Sequence, residues 1–492
     1  MSTEATDIPR EERLLIGGKL VEASNGATYE NLNPATEEVL GVASDASDAD
    51  VDAAVAAARA AFDETRWSTD HALRVRCLRQ LQDALRRHAD DLRTTIVAEV
   101  GAPVALTYSA QLDTPVEGLG FAADLAERYP WRQELGVASA FGAEAERYVL
   151  HEPAGVVAAI VPWNFPMQIQ LAKVGPALAA GCTVVLKGAP ATPWTAALLG
   201  RIAAEETDLP PGVLNVLTSS RNEAGQRLVE DPRVDVVSFT GSTATGRAIM
   251  AAAAPTVKRL FLELGGKSAL IALDDADLEL AAMLAAFNIT THAGQGCAIT
   301  SRVLLPRGRF DEGVEAIRSA IAGIPYGDPT DPANLMGPLI SEAQRARVLG
   351  YIGSAVDDGG TIVSGGGIPA DLPKGWFVEP TVITGLRPDA KAVREEIFGP
   401  VLCILAHDGD DDAVALANDS VYGLSGGVVS TDLERARAVM RRLRTGTVGI
   451  NGGQWYAPDV PFGGYKQSGV GRESGVAGFE EYLEIKSVAE PR

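Results

Sequence analysis

Short apolar runs and amphipathic stretches alternate along most of this chain. Toward the N-terminus, residues 49–65 and 68–98 repeat apolar positions at helical spacing, which predicts helices. From residue 154 onward, patterns typical of buried strands alternate with helical ones. The strands predicted in this first series are AGVVAAIV (154–161), TVVLK (183–187), VLNVLT (213–218), VDVVSF (234–239) and RLFLEL (259–264). Such alternation indicates a parallel sheet that carries helices on both faces.

A second series of the same kind follows, beginning with a helix over 275–287. Its predicted strands are SRVLLP (301–306), FVEPTVI (377–383), PVLCILA (400–406) and GTVGIN (446–451), with helices between them. Two doubly wound α/β units in one chain predict a cleft between them in which ligands bind. Two further extended segments, 146–153 and 479–488, have polar edges. They are either exposed strands that pair with another subunit or ordinary edge strands.

Composition narrows the class of protein. The chain has 492 residues, 46% of them hydrophobic, so it holds two to four globular domains. Its net charge of −22 argues against binding to nucleic acid or to an anionic membrane surface. The four cysteines are widely spaced, which disfavours a zinc site and a disulfide framework. The N-terminus lacks the apolar core of a secretory signal and no apolar run is long enough to span a bilayer, so we expect a cytoplasmic protein.

Three segments contain side chains suited to chemistry on a carbonyl group. Cys297 lies among small residues in HAGQGCAITSR (292–302), where a substrate can approach a thiol closely. Glu263 ends an apolar strand before Gly265, and burial there would raise its pKa and suit a general base. Asn164 in VPWNFPMQ offers an amide donor of the kind an oxyanion hole needs. Each residue taken alone also has a structural interpretation: a buried cysteine, a surface carboxylate or a helix cap.

A fourth segment fits a phosphate group. FTGSTATGR (239–247) follows a predicted strand and opens a helix, and its glycines and hydroxyls suit a diphosphate at a helix N-terminus. Lys187 ends a neighbouring predicted strand, from which it can reach a ribose or a phosphate. Alone, each of these two signals is weak.

Together these segments resemble the aldehyde dehydrogenase superfamily. The resemblance extends over nearly the whole chain and includes the opening segment 14–41. The motifs that occur in the order and spacing of that family are VPWNFP, FTGSTATG, LELGGK, GQGC, EEIFGP (395–400) and VPFGGYKQSGVGRESG (460–475). The resemblance implies that Cys297 is the nucleophile, that Asn164 and the Cys297 backbone N–H hold the oxyanion, and that Glu263 activates the water that hydrolyses a thioester.

The resemblance also implies a cofactor site. Lys187 would contact the adenosine ribose, and Glu396 would hold the nicotinamide ribose. The other residues implied at the cofactor are Trp163, Gly241, Ser242, Gly246 and Phe398. Pro190 stands where many family members have a Glu that binds ribose hydroxyls, and residues 188–200 contain no Arg or Lys for a 2′-phosphate. We therefore expect NAD, with NADP possible, and no metal.

The resemblance implies an α/β fold of two doubly wound domains with a small β extension for oligomerisation. Residues 1–130 and 154–265 would form the NAD-binding domain, and 266–460 the domain that carries the nucleophile. Segments 135–153 and 478–492 would build a homodimer or homotetramer.

The segments that resemble those of the substrate tunnel suggest a medium or bulky apolar aldehyde. They carry small residues and potential apolar walls, and they contain no Arg to bind a second carboxylate. The small residues are Gly296, Ala298, Ala172, Gly452 and Gly453, and the apolar ones are Met167, Ile169, Trp455 and Tyr456.

Two other functions stay open. An acylating member of the family would pass the acyl group to coenzyme A, but such members usually lack a base at the position of Glu263. A catalytically silent binding protein on the same fold would not need Cys297, Glu263 and Asn164 together.

Overall fold

The computed structural model describes residues 8–454 and 456–492. In chain order its strands are β1 (Leu14–Ile16), β2 (Lys19–Val21), β3 (Thr28–Leu32), β4 (Val39–Ser44), β5 (Arg132–Ala140), β6 (Ala143–Pro153), β7 (Val156–Ile160), β8 (Thr183–Lys187), β9 (Leu214–Leu217), β10 (Val236–Thr240), β11 (Arg259–Glu263), β12 (Ala269–Ala272), β13 (Arg302–Pro306), β14 (Thr361–Ser364), β15 (Thr381–Thr384), β16 (Val401–His407), β17 (Gly426–Val429), β18 (Gly449–Ile450), β19 (Gly469–Val470) and β20 (Leu483–Pro491).

The α-helices of the described residues lie between these strands. They are α1 (Asp48–Glu64), α2 (His71–Arg87), α3 (Ala89–Val100), α4 (Val104–Thr107), α5 (Asp113–Arg128), α6 (Pro166–Ala180), α7 (Pro193–Glu206), α8 (Asn222–Glu230), α9 (Thr243–Ala253), α10 (Leu278–Thr290), α11 (Phe310–Ala322), α12 (Glu342–Asp357), α13 (Lys391–Arg394), α14 (Asp410–Asn418), α15 (Leu433–Met440) and α16 (Gly475–Glu480).

The larger sheet has the strand order β19-β11-β10-β7-β8-β9-β1-β2. Its five central strands are parallel, and β19, β1 and β2 join antiparallel at its two edges. Alternate residues of β7 enter different cores: Val157 and Ala159 pack with α2, α5 and α6, whereas Val156 and Ala158 pack with α1 and α8. Helices therefore cover both faces of this sheet. After β7 the chain adds β8 and β9 on one side of that strand and then β10 and β11 on the other side, so the strand order reverses between β7 and β10. Ligands bind at such a point in folds of this kind.

The second sheet has the order β14-β15-β16-β13-β12-β17-β18 and is parallel except for β14. Here too, neighbouring residues of β12 enter different cores, with Ala269 and Ile271 in one and Leu270 and Ala272 in the other. A third sheet, β20-β6-β5, is antiparallel and separate. The predicted α/β class, with two parallel sheets and a small additional β-sheet, is confirmed, whereas the predicted domain boundaries stay a prediction.

Several predicted elements differ from those observed. The segment predicted as a strand from residue 377 pairs only from Thr381, because Pro380 has no N–H to donate to the ladder. The segment predicted to be extended over 479–488 starts inside α16, and β20 begins at Leu483. Strands β1 and β2 are absent from the prediction because three residues are too few to show a period of two. In the part of the chain described, no helix combines the length and the apolar character needed to cross a bilayer.

Candidate active site

Several residues predicted to take part in catalysis or cofactor binding lie at or just after the ends of the parallel strands of the larger sheet. β8 ends at Lys187 and β11 ends at Glu263. Asn164 follows β7 within four residues, and Gly241 follows β10 directly. The carboxyl ends of parallel strands share one edge of a sheet, so the fold brings these residues to the edge that faces the Cys297 loop.

The Cys297 loop connects α10 to β13 through a strained turn. His292 and Ala293 have φ values of 49° and 51°, in the left-handed region that non-glycine residues seldom adopt. At Gly294 a Cβ atom would lie 2.2 Å from the Gly399 carbonyl oxygen, so only glycine fits. Asn288 of α10 reaches forward and accepts a hydrogen bond from the Thr300 N–H at 3.1 Å. These constraints hold the half-buried Cys297 in place from both sides.

The Asn164 side chain is hydrogen-bonded directly to the Cys297 loop. Its side-chain Nδ2 donates to the Gln295 carbonyl oxygen at 2.8 Å, two residues from Cys297. Gln111 donates to the Asn164 carbonyl oxygen at 2.9 Å, and the Asn164 side chain is 3% exposed. An amide nitrogen has two N–H groups, so a second one can donate to a ligand in the cavity that Asn164 and Cys297 both line.

Glu263 is the last residue of β11 and is 1% exposed. Neither of its carboxyl oxygens has a hydrogen-bond partner among the described residues. Burial raises its pKa well above the ordinary value, and the nearby charge of Glu473 raises it further. Gly463 makes room for this side chain, because a Cβ atom there would lie 2.6 Å from Glu263 Oε1. A buried carboxylate without partners is costly, so its position suggests a use in chemistry.

An ion pair beneath this carboxylate was not predicted from the sequence. Lys173 Nζ lies 2.8 Å from Glu473 Oε1, and Lys173 is fully buried. Lys173 also donates to Ser238 Oγ at 3.1 Å and lies over the Phe261 ring, 4.8 Å from its centre. A lysine on the apolar helix MQIQLAKV was the signal that could have indicated a buried pair, although the sequence does not show its partner.

The surroundings of Cys297 favour the protonated form of its thiol. Burial raises its pKa, and the carboxyl groups of Glu263, Glu396 and Glu473 raise it further, because each disfavours a second negative charge nearby. These groups therefore disfavour the thiolate form of Cys297.

A second acidic side chain occupies the space left by two glycines. Glu396 Oε1 accepts a hydrogen bond from the Gly266 N–H at 2.9 Å. A Cβ atom at Gly265 would lie 2.3 Å from Glu396 Oε2. Burial raises the pKa of Glu396 to about 7. Phe398, two residues on, has a φ of 62°, and its ring meets the Trp163 ring edge-on at 5.4 Å.

The predicted phosphate segment begins helix α9. Ser242 is its N-cap, and its hydroxyl accepts a hydrogen bond from the Thr245 N–H at 3.1 Å. Gly246 lets the helix pack closely on Leu264, since a Cβ atom would lie 2.7 Å from that side chain. Lys187 is 6% exposed, and burial lowers its pKa to about 8. The positive end of α9 and this amine suit an anionic or hydroxyl-rich ligand.

A cavity of about 470 Å³ opens at Cys297 and Asn164. Of the residues predicted to line a tunnel, Ala172, Ile169, Gly452, Gly453, Gly296, Ala298 and Tyr456 are in its wall. Met167 is fully buried in the core of the larger sheet, so that prediction was wrong. Trp455 lies outside the described residues. Among the lining residues described, Glu473 is the one acidic side chain, and none is Lys or Arg.

Comparison with known proteins identifies the family of this chain. The model of the aldehyde dehydrogenase family matches residues 20–488. The chain belongs to this family. The predicted resemblance is therefore confirmed, whereas the roles of individual residues stay predictions.

Individual members of the family are similar over almost their whole length. A 3-succinoylsemialdehyde-pyridine dehydrogenase from Pseudomonas sp is 44% identical over 96% of this chain and 97% of its own. Betaine aldehyde dehydrogenase from Staphylococcus aureus, solved in complex with NAD+, superimposes with a TM-score of 0.95 at 36% identity, covering 98% of this chain and 95% of that one. A mutant of aldehyde dehydrogenase C from Pseudomonas syringae, solved with NAD+ and octanal, has a TM-score of 0.91 at 39% identity and covers 97% and 96%.

Proposed function

We propose that this aldehyde dehydrogenase oxidises a medium or bulky apolar aldehyde to the carboxylic acid with NAD, by the hydrolysing route. One observation carries the proposal. The Cys297 thiol and the Asn164 amide line one cavity of about 470 Å³, and the buried Glu263 carboxyl group, which has no partner among the described residues, is close enough to raise the pKa of the thiol. This combination supports nucleophilic attack, oxyanion stabilisation and base catalysis in sequence.

In the first step, Cys297 Sγ bonds to the carbonyl carbon of the aldehyde, the C=O π bond opens onto the oxygen, and the thiol proton passes to water. The carbonyl oxygen gains negative charge as the C–S bond forms. Asn164 Nδ2 and the Cys297 backbone N–H are the proposed donors to that oxygen. Because the Asn164 amide is held by Gln295, it is oriented before the substrate arrives and needs little reorganisation.

The residues around α9 and Glu396 fit NAD. The α9 N-terminus with Gly241, Ser242 and Gly246 suits the diphosphate, and Lys187 suits the adenosine ribose. Glu396 has one oxygen bonded to Gly266 and can accept hydroxyls of the second ribose, with Trp163 and Phe398 packed alongside. When bound, NAD supplies the hydride acceptor for the oxidation. Two solved relatives are complexes with NAD+, and the lack of a cation in 188–200 gives no support to NADP.

In the last step, Glu263 takes a proton from water, which attacks the thioester carbon and releases Cys297. The raised pKa of Glu263 makes its ionised carboxylate a stronger base than an exposed glutamate. The buried pair of Lys173 and Glu473 lies next to it and adjusts its charge: Glu473 raises the pKa of Glu263, and Lys173 lowers it.

The cavity wall favours an apolar substrate. Phe165, Ile169, Leu284 and Ile299 contribute apolar surface. Glu473, the acidic residue in the wall, is already paired with Lys173, so it is a poor partner for a cationic aldehyde. One relative is named for a pyridine semialdehyde and another was solved with octanal, and both aldehydes are larger than a short polar aldehyde.

The third sheet supports assembly into a homodimer or homotetramer. Leu135 and Val137 of β5 and Ile485 of β20 are between 44% and 69% exposed. Apolar side chains on an exposed, antiparallel sheet are typical of a surface covered by a second copy.

The deciding experiment follows NADH formation with propanal, benzaldehyde, decanal and betaine aldehyde, with NAD and NADP in parallel. We expect NAD-linked turnover that favours the apolar aldehydes and is abolished in Cys297→Ser. A large rate gain on addition of coenzyme A, with acyl-CoA as product, would replace hydrolysis by the acylating route. Absence of turnover with every pair of aldehyde and cofactor would indicate a silent member of the family.

A further inference from the structure

A buried histidine in the Cys297 loop is not used by the proposed mechanism. His292 is fully buried in the strained turn with which the loop begins. Burial lowers its pKa to about 3, so the ring is neutral and one of its nitrogens carries an N–H group. Neither ring nitrogen has a hydrogen-bond partner among the described residues. A buried N–H group without a partner costs free energy, so the presence of this ring in the site needs an explanation.

The left-handed backbone of His292 places its ring against the segment that carries Asn164. With a φ of 49°, His292 adopts a conformation that His tolerates better than most residues other than glycine. Its ring meets the Phe165 ring at 71°, with the ring centres 5.3 Å apart. Phe165 follows Asn164 directly and lines the catalytic cavity, whereas His292 is not among the lining residues described. The histidine is therefore one layer behind the cavity wall.

His292, Gln295 and Asn164 form a closed circuit of contacts. The Gln295 backbone N–H and the Gln295 side-chain Nε2 each donate to the His292 carbonyl oxygen at 3.1 Å. Asn164 Nδ2 in turn donates to the Gln295 carbonyl oxygen at 2.8 Å. The Asn164 backbone carbonyl closes the circuit, because it lies near enough to the His292 ring to favour a proton on that ring. Both the amide and the carbonyl group of Asn164 are thus in contact with the Cys297 loop.

The Asn164 carbonyl oxygen can accept a second hydrogen bond. Gln111 Nε2 already donates to it at 2.9 Å, and a carbonyl oxygen has two lone pairs. The His292 N–H group is the donor that faces the other lone pair. Hydrogen bonds in active sites are often long in the free enzyme and tighten in the complex with substrate. The His292 ring, which is near this carbonyl without a regular hydrogen bond to it, can tighten in this way.

We infer that His292 is a positioning residue for the oxyanion donor: its ring N–H supports the Asn164 carbonyl oxygen and so fixes the direction of the Asn164 side-chain amide. This role rests on the proposed function, in which that amide binds the oxyanion. It goes further, because it gives a residue outside the cavity wall an effect on the reaction that is exerted only through Asn164.

The first test removes the N–H group and keeps the ring. His292→Phe retains the contact with Phe165 and loses the donor. The readout is the rate constant of NADH formation in a single turnover, with NAD in excess and decanal below the enzyme concentration. Loss of a whole oxyanion donor costs about 10²–10³ in rate and loosening one costs less, so we expect a fall of roughly tenfold. The Kd for NAD should stay the same.

Two conservative variants test the N–H group itself. Asparagine places an amide near the position of the histidine Nδ1, and glutamine places one near Nε2, so each can supply the donor from one of the two ring positions. Asparagine also tolerates the left-handed backbone. We expect His292→Asn or His292→Gln to recover most of the rate lost in His292→Phe. A histidine that only filled space would not distinguish variants with a donor from the variant without one.

A double variant shows whether His292 acts through Asn164. If it does, adding His292→Phe to Asn164→Ala should lower the single-turnover rate constant no further, because the group that His292 positions is already gone. If the two losses multiply instead, His292 acts at another place and the inference is wrong.

His407→Phe is the matched control for loss of a buried histidine. His407 is 1% exposed and its Nε2 lies 2.9 Å from the Ala272 carbonyl oxygen, in the second sheet. This variant should melt at a lower temperature but keep the single-turnover rate constant of the wild type. Melting curves of all variants show whether the fold is kept.

Two further results would overturn the role of His292. One is a folded His292→Phe variant with the rate constant of the wild type. The other is a loss that neither His292→Asn nor His292→Gln recovers. Failure of the proposed function looks different, since the wild type would then form no NADH with decanal, or Asn164→Ala would oxidise it as fast as the wild type.

Discussion

Gly463→Ala should displace the proposed base, Glu263, without replacing any side chain that takes part in the chemistry. In the structure, a Cβ atom at this position would lie 2.6 Å from Glu263 Oε1 and 2.9 Å from Arg472 Cδ. The Gly471 carbonyl oxygen would also lie 2.9 Å from this Cβ, so a backbone atom adds a further contact that is too short. Since ordinary contacts begin at 3.4 Å, the Glu263 carboxyl group must retreat by about 0.8 Å.

A shift of the Glu263 carboxyl group by this distance should affect the hydrolytic half of the reaction. Misplacement of a catalytic group by about 1 Å costs up to a hundredfold in rate, so we expect hydrolysis of the thioester to slow by roughly tenfold to a hundredfold. Attack by Cys297 and oxidation do not use Glu263 in the proposed mechanism. They should keep most of their rate, and the acyl-enzyme should accumulate.

Stopped-flow NADH formation separates the two halves. Gly463→Ala should show a rapid burst of NADH that approaches one per active site, followed by slow turnover. Glu263→Gln should behave in the same way and more severely. Gly350→Ala, on α12 with no atom within 4 Å of the added Cβ, is the matched glycine control and should turn over like the wild type.

Two outcomes would refute the reasoning about Gly463. A variant that folds normally and hydrolyses its thioester at the rate of the wild type would mean that Glu263 does not act from this position. Loss of the burst itself would mean that the disturbance reaches Cys297. The φ of 156° at Gly463 also strains an alanine, so a melting curve must accompany the kinetics.

Three further predictions concern other buried groups. Asn164→Ala should lower kcat by about 10²–10³ through loss of an oxyanion donor, with the Kd for NAD nearly unchanged, as steady-state kinetics and a binding titration would show. The Glu396 carboxyl group, whose pKa is raised to about 7, should bind ribose hydroxyls best when ionised. NAD should therefore bind more tightly as pH rises from 6 to 7.5, and a flat profile in wild type or an equal slope in Glu396→Gln would contradict this. Burial raises the pKa of Glu99 from 4.5 to about 7. Between these two pH values the folded protein keeps a proton that the unfolded protein has released. The free energy of unfolding therefore falls by about 3 kcal/mol as pH rises through this interval. The melting temperature of Glu99→Gln, relative to wild type, should rise between pH 5 and pH 7 and then level off.

Strand ends explain why much of the candidate site could be predicted. Lys187, Thr240 and Glu263 each end a run of apolar residues, and parallel strands align their carboxyl ends at one edge. Once the runs are identified, the residues that follow them must be near one another. The sequence also predicts that Cys297 lies among small residues, but the strained turn before it, at His292 and Ala293, carries no sequence signature.

Pairs between remote segments could not be predicted in the same way. Lys173 and Glu473 are 300 residues apart, and their contact depends on how the final segment folds back against α6. The strands β5 and β1 are similar cases. β5 is exposed along most of its length and mixes polar and apolar residues, and β1 has three residues, so neither shows a clear hydrophobic period.

The glycines of the motifs show both what a sequence reveals and where it stops. Gly265 leaves space that Glu396 fills, and Gly463 leaves space that Glu263 fills, across 131 and 200 residues of chain respectively. A motif glycine indicates that something approaches the backbone closely, but it does not say what. In this protein both occupants are buried carboxyl groups with raised pKa values. The glycine-rich loops therefore provide the space that these acidic groups occupy near Cys297. Each of these two motif glycines is explained by the distant carboxyl group that lies against it.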